Sequence, residues 1–340
     1  MTPYWTDATW NPVTGCTKSR QAVIGANCYI ERTPPFRMAG RRFVKGAIPV
    51  LLHPDRLEQP LRWRKPRRVF VCSLADLFHE DVPDKFIDRI FATMARCGLT
   101  HSFQLLTKRP ERMRAYLNDP ETPRRIMETT GSREDGFNVP IGSWYWPMRQ
   151  VHLGVSVENQ RMADERIPVL LDTPAAVCFL SCEPLLSGLD LRRWLKPPVY
   201  SGDEGTCSYE WPPLNWVICG GESGPGSAER KLVERCDCGV GPIKGVRAEK
   251  PYSDSPPGHT VIVRCKDCAQ TGWYPKPQAL AWVRSLRDQC VAAGVPFFFK
   301  QWGGPKPGSG GRLLDGRTWD EMPDASGING TSSTRSLEPV

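Results

Sequence analysis

Short apolar runs that nearly all close on polar, chemically able residues, several of them followed by an amphipathic segment, limit most strongly how this chain can fold. Residues 68–72, ending in Cys72, lead into Ser73, Asp76 and His79. A helix is expected over 83–96: Pro83 suits the first turn, and Phe86, Ile87, Ile90, Phe91 and Met94 form one stripe. Residues 102–106 run into Thr107, Lys108 and Arg109, and Pro110 opens the next helix. Residues 151–157 run into Glu158 and Asn159, ahead of a helix over 160–171. The run 176–180 meets Ser181, Cys182 and Glu183, and 216–219 meets Gly220, Gly221 and Glu222. A helix over 279–293 precedes the last run, 296–299, which meets Lys300. Residues 118–147 read as a long loop. Strands alternating with helices imply a parallel sheet. Counting an N-terminal segment, about six or seven strands are expected, which suits a partial or irregular β/α, TIM-like barrel. A doubly wound open sheet is the alternative. In a parallel barrel all strand ends share the C-terminal face, where active sites are built.

Two regions break the rhythm. Residues 226–276 hold Cys236-Asp237-Cys238 and Cys265-Lys266-Asp267-Cys268. Such a pair of cysteine motifs across a short polar segment is a zinc-ribbon-like signature, and an insertion this small gains from a metal staple. From 304 to 340 the chain is rich in Gly, Ser, Thr, Asp and Pro and reads as a flexible tail. The expected organisation is therefore a barrel over 1–225, the insertion, and a last helix and strand over 277–303.

The net charge of +8 permits an anionic partner without requiring one. From Glu31 to Arg68, eleven Lys and Arg face three Asp and Glu, an excess equal to that of the whole chain. Arg41, Arg42, Arg64, Lys65, Arg67 and Arg68, interleaved with Phe36, Phe43 and Trp63, make this a candidate nucleic-acid contact; a solvated basic face is the alternative. No stretch approaches the ~20 apolar residues of a membrane span, and no secretory signal stands at Met1. A cytoplasmic protein with reduced or metal-bound cysteines is expected.

The N-terminal loop holds Cys16 and Cys28, with Tyr29 after it, among Pro12, Gly15 and Gly25. Thiolates placed this way are candidate ligands for zinc or an iron–sulfur cluster; two reduced thiols in a turn are the plain alternative.

Eight collinear stretches carry a resemblance: WTDATWNPVTGC, NCY, SLADLFHE, LLTKRPERM, GVSVENQ, EPLL, GGESGPG and FFFKQWG, spanning Trp5 to Gly303. Together they resemble a phage-associated family of unknown function with a three-cysteine N-terminal motif, whose members look like radical S-adenosylmethionine barrels. The resemblance implies a four-iron, four-sulfur cluster, S-adenosylmethionine bound to its open iron, and a reductant or partner protein to supply an electron. Cys16 and Cys28 match the first and last cysteines of the motif, while the middle position falls on Gly25. If a third thiolate completes the set, Cys72 is the candidate, ahead of Cys182 and Cys219. Glu222, with Gly220 and Gly221 giving close approach, would take the ammonium of S-adenosylmethionine. Glu183 resembles the glutamate of a radical-enzyme motif. Lys108, Arg109 and Lys300 suit a carboxylate or phosphate, and Asp76, His79 and Glu158 are candidates for proton transfer and catalysis. Three functions follow: a radical enzyme acting on a nucleic acid or nucleotide, a cluster-free barrel that binds nucleic acid, and a metal-dependent hydrolase. The last is weakest, because five histidines show neither HxH nor HExxH spacing.

Overall fold

A computed structural model describes residues 4–18, 28–131, 146–195, 214–224, 232–235, 273–306 and 308–323. In chain order the elements are β1 (Ala8–Trp10), β2 (Val13–Thr17), α1 (Pro34–Met38), β3 (Ala47–Leu52), β4 (Arg67–Val71), α2 (Asp84–Arg96), β5 (His101–Thr107), α3 (Pro110–Asn118), α4 (Thr122–Gly131), β6 (Val151–Ser156), α5 (Gln160–Leu171), β7 (Val177–Cys182), α6 (Arg192–Leu195), β8 (Trp216–Gly220), β9 (Val233–Arg235), β10 (Trp273–Pro275), α7 (Pro277–Ala293) and β11 (Phe297–Gln301). Seven strands form one sheet in the order β1-β4-β5-β6-β7-β8-β11, and every neighbouring pair is parallel. The sheet curls into a half-barrel with helices outside it, as the strand–helix rhythm implies.

The period-2 alternation of strands divides the apolar residues between two faces. Val69, Val71, Leu105, Leu153, Val155, Leu180, Val217, Phe297 and Phe299 join Phe86, Ile90, Ile167 and Leu286 in the core between sheet and helices. Phe70, Phe179, Trp216, Ile218 and Phe298 turn the other way and close around Trp5 inside the curl. Trp5 lies 4.8 Å from Phe70 and 6.0 Å from Trp216, ring to ring, so the interior is a packed plug rather than a channel.

Three regions depart from the sequence reading. The expected loop over 118–147 contains α4. It is ten residues long, and Ile126, its fully buried apolar residue, joins the helix-side core. Polar bonds add to this: Arg125 reaches Asp88 on α2 at 3.3 Å and Asp119 at 2.7 Å. The tail is not free as far as it is described, to Pro323. Phe299 donates to the Trp319 carbonyl at 2.8 Å, Trp302 to Gly311 at 3.0 Å, and the Trp216 indole to Glu321 at 3.0 Å. The segment thus covers β11, the edge of the sheet. Third, β2 and β3 form an antiparallel hairpin that leaves the sheet and leans over its C-terminal end. Gly15 makes this possible. Its φ is +101°, and a Cβ there would sit 2.0 Å from the Pro49 carbonyl oxygen. Gly15 also donates to Leu74 at 3.0 Å, which ties this flap to the turn after β4.

The basic segment is split between the two ends of the barrel rather than forming one face. Arg37, Arg42 and Lys45 are exposed on the flap, whereas Arg64 and Lys65 are exposed ahead of β4, at the N-terminal end. Arg41 stacks 4.5 Å from the Phe36 ring and donates to Thr14 at 3.1 Å, so it holds the flap together. Arg67 stacks on Trp63 at 5.4 Å, and Arg68 pairs with Asp7 at 2.8 Å. Among the described residues no helix is long and apolar enough to cross a membrane.

Candidate binding site at the C-terminal mouth

Parallel pairing gathers the strand ends at one mouth. Past β4, Asp76 is buried and accepts from Phe78 N (3.0 Å), Thr107 Oγ1 (2.8 Å), Lys108 N (3.0 Å) and Arg109 Nη1 (3.2 Å). A carboxylate has about four acceptor sites, and all are taken. Asp76 is therefore a structural hub rather than the proton-transfer group its position suggests. Arg109 extends this hub to the flap: it reaches Glu80 Oε2 at 3.1 Å and Thr17 Oγ1 at 2.9 Å, and its Nη1 lies 3.9 Å from Cys16 Sγ. His79 is fully buried, with Nε2 2.8 Å from Thr17 Oγ1 and Nδ1 accepting from Asp81 N at 3.1 Å. Burial, with Arg109 nearby, holds its imidazole below the usual histidine range. Neutral and bonded at both nitrogens, it latches the flap.

The charged pairs lie deeper in the mouth. One oxygen of Glu158 meets Lys108 Nζ, and the other accepts from Arg166 Nη1 at 3.1 Å. Glu158 and Arg166 are each 1% exposed, while Lys108 is 32% exposed. Lys300 Nζ lies 2.9 Å from Glu183 Oε1, and Ser181 Oγ lies 3.3 Å from the other oxygen. A Cβ on Gly220 would come within 2.6 Å of Glu183 Oε1, so that glycine makes room for the carboxylate. Gly221 has a different neighbour from the one expected. Its Cβ would meet the Trp302 carbonyl oxygen at 2.1 Å, so the close approach it permits is that of the chain's own β11 end. Glu222 is half-buried beside it, and its carbonyl accepts from Gly304 at 3.0 Å.

Cys16 and Cys28 pack together against Ile30, Phe36 and Ile48. Burial, reinforced by Asp76, pushes the Cys16 thiol up to about 11, and burial raises Cys28 too. Both are thiols at neutral pH. Tyr29, 55% exposed as a residue, donates its hydroxyl to the Ser73 carbonyl at the rim. Cys72 stands elsewhere. Alternation from Phe70 would point it into the curl, but its φ of +57° turns it into the helix-side core with Trp10 and Val13. Cys182 and Cys219 lie in that same core. Among the described residues no group of three or more His, Cys, Asp or Glu could hold a metal ion. Residues 19–27 contain no cysteine, so Cys16 and Cys28 are the thiols this region offers. Two thiolates do not make the three-point set of a site-differentiated cluster, and the described residues do not fit one. The cysteines Cys236, Cys238, Cys265 and Cys268, with Gly25, lie outside the described residues.

A family model described as a protein of unknown function, DUF5131, matches residues 2–234 and 267–323. The chain belongs to this family. No curated protein and no solved structure matches it. The DUF5131 match includes every element of the half-barrel and the mouth, and omits residues 235–266, within which Cys236, Cys238 and Cys265 fall. Arg166, which sequence reading passed over, carries a detectable signal. It is a charged residue on the same stripe of α5 as Met162, Ala163, Ile167 and Leu170, all buried. A lone cation on such a stripe calls for a buried partner.

Proposed function

We propose that the protein is a nucleic-acid-binding barrel that works without an iron–sulfur cluster. The observation that carries this reading is the makeup of the rim. The flap presents Arg37, Arg42 and Lys45 to solvent next to the exposed Tyr29, above a mouth lined by Lys108, Arg109 and Lys300. Cations suit phosphates, an exposed aromatic suits base stacking, and a single strand brings both. The unmatched pair of thiols supports the cluster-free side of the reading. Iron and sulfide analysis of anaerobically purified protein tests it: stoichiometric uptake of a cluster would restore the radical enzyme in its place.

Binding of a fluorescent single-stranded oligonucleotide, followed by anisotropy across a salt series, tests the rest. Arg42→Glu with Lys45→Glu should weaken binding at low salt by at least about tenfold. Loss of two phosphate contacts should also flatten the log–log salt slope by about 2. Arg64→Glu with Lys65→Glu, at the opposite end, should leave both unchanged. Equal effects from the two pairs would mean a diffuse charge effect and no site.

Zinc in the insertion belongs to the same proposal. What supports it is the cysteine spacing together with the stem: β9 and β10 pair antiparallel, Arg235 with Trp273, so the chain leaves and returns at one ladder beside Cys236.

A further inference from the structure

We propose that Thr17 is a positioning residue of the nucleic-acid site: its hydroxyl fixes where the flap stands over the mouth, so that a strand long enough to meet both is bound in preference to a short one. This rests on the nucleic-acid reading above and adds its geometry. The hairpin is held differently at its two ends. At the base, Val13 pairs with Leu52; Val13 is buried in the helix-side core and Leu52 packs against it. At the far end, Thr17 pairs with Ala47, and Ala47 closes on Val44 around the turn that carries Lys45. The flap's own cluster of Ile30, Phe36 and Ile48 is separate from the barrel core, and a two-stranded ladder by itself is marginal in water. Polar ties therefore set its tilt. Gly15 and Tyr29 bond to Leu74 and Ser73, both in the turn after β4. Thr17 adds a second direction. Its Oγ1 lies 2.8 Å from Nε2 of His79, in that same turn, and accepts at 2.9 Å from Nη2 of Arg109, the residue before α3. Because His79 Nδ1 accepts from Asp81, the ring proton sits on Nε2, and both lone pairs of the hydroxyl are filled. The partners are held firmly, with the His79 side chain 1% and the Arg109 side chain 14% exposed. Val13 to Thr17 spans roughly 13 Å of strand, so a tilt of about 10° at the base moves the far end by about 2 Å. Arg42 and Lys45 on the flap and Lys108 and Lys300 in the mouth then no longer meet one strand together, and the gain from linking two contacts is lost.

The experiment titrates the full chain, by anisotropy at low salt, into a fluorescent thymidine dinucleotide and an oligothymidylate of about 12 nucleotides, a length within the span that single-strand folds cover. Wild type should bind the longer strand at least about tenfold more tightly. Thr17→Val keeps the volume and the β-branch and removes the hydroxyl. It should erase most of that advantage while changing dinucleotide binding less than about twofold. Thr17→Ser retains the hydroxyl and should retain the advantage. Thermal unfolding checks that the variants are folded, and Thr17→Ala takes the place of Thr17→Val if the latter is not. A loss of equal size at both lengths would mean a merely structural role and overturns the proposal. So does a Val variant that keeps the full advantage, or a wild type that shows none. If wild type binds neither strand at low salt, the underlying nucleic-acid reading falls.

Discussion

Replacing Glu158 with Gln keeps the shape of the side chain and removes its charge. Arg166 then remains at 1% exposure with the Ser156 carbonyl, 2.6 Å away, as its ordinary partner and no carboxylate. Removing one member of a buried ion pair costs about 3–5 kcal/mol, because the cost is that of the uncompensated charge left behind. Lys108, one-third exposed, can turn to water and should add little. The expected loss is therefore near the lower end, about 3 kcal/mol. Urea unfolding followed by tryptophan fluorescence measures it. The double variant Glu158→Gln with Arg166→Met removes the stranded cation and should recover at least about half of the loss, since coupled residues depart from additivity by amounts of this order. A single-variant loss below about 1 kcal/mol, or a double variant no more stable than the single, would refute the buried-charge account of the mouth.

His152 on β6 is 8% exposed, and burial holds its imidazole down to about 4. The unfolded chain takes up that proton near pH 6.5 and the folded one does not, so stability is full above about 6.5 and falls as pH drops toward 4. Wild type should lose about 3 kcal/mol more across that window than His152→Gln, as read from urea midpoints, and parallel pH profiles would discard the assignment. Gly221→Ala drives a Cβ to within 2.1 Å of the Trp302 carbonyl and should cost about 2 kcal/mol or more, visible as a lowered melting temperature; an unshifted melting curve contradicts the close packing. Cys265→Ser should release one zinc, by metal analysis of dialysed protein, and leave barrel unfolding unchanged; zinc-free wild type would end the zinc proposal.

The barrel strands were legible because each carries a short apolar run and stops at a polar group, a pattern that a buried parallel sheet requires. What escaped the sequence follows from forces without a period. α4 is short, with Ile126 as its one fully buried apolar side chain and Arg125 as its tie to α2, and the strap over β11 uses backbone donors that any residue supplies beside Leu314 and Trp319. The flap depends on one glycine at φ +101°. At the mouth, strand ends located Asp76, Lys108, Glu158, Glu183 and Lys300, but not what each carboxylate was already bonded to. Cys72 shows the limit most sharply. Counting by twos places it inside the curl, and a single positive φ places it outside.

The β9–β10 ladder has an evolutionary consequence. The chain leaves the barrel after β8 and returns just before α7, with Val233 opposite Pro275 and Arg235 opposite Trp273. Because the two ends are clamped to each other, length added beyond Arg235 does not change the distance that β8 and α7 must span. The stem is a port at which descendants can lengthen, shorten or exchange the module without renegotiating the barrel. The family model's gap at 235–266 opens where the ladder ends. Relatives are thus expected to differ in what they carry at that port while keeping the mouth.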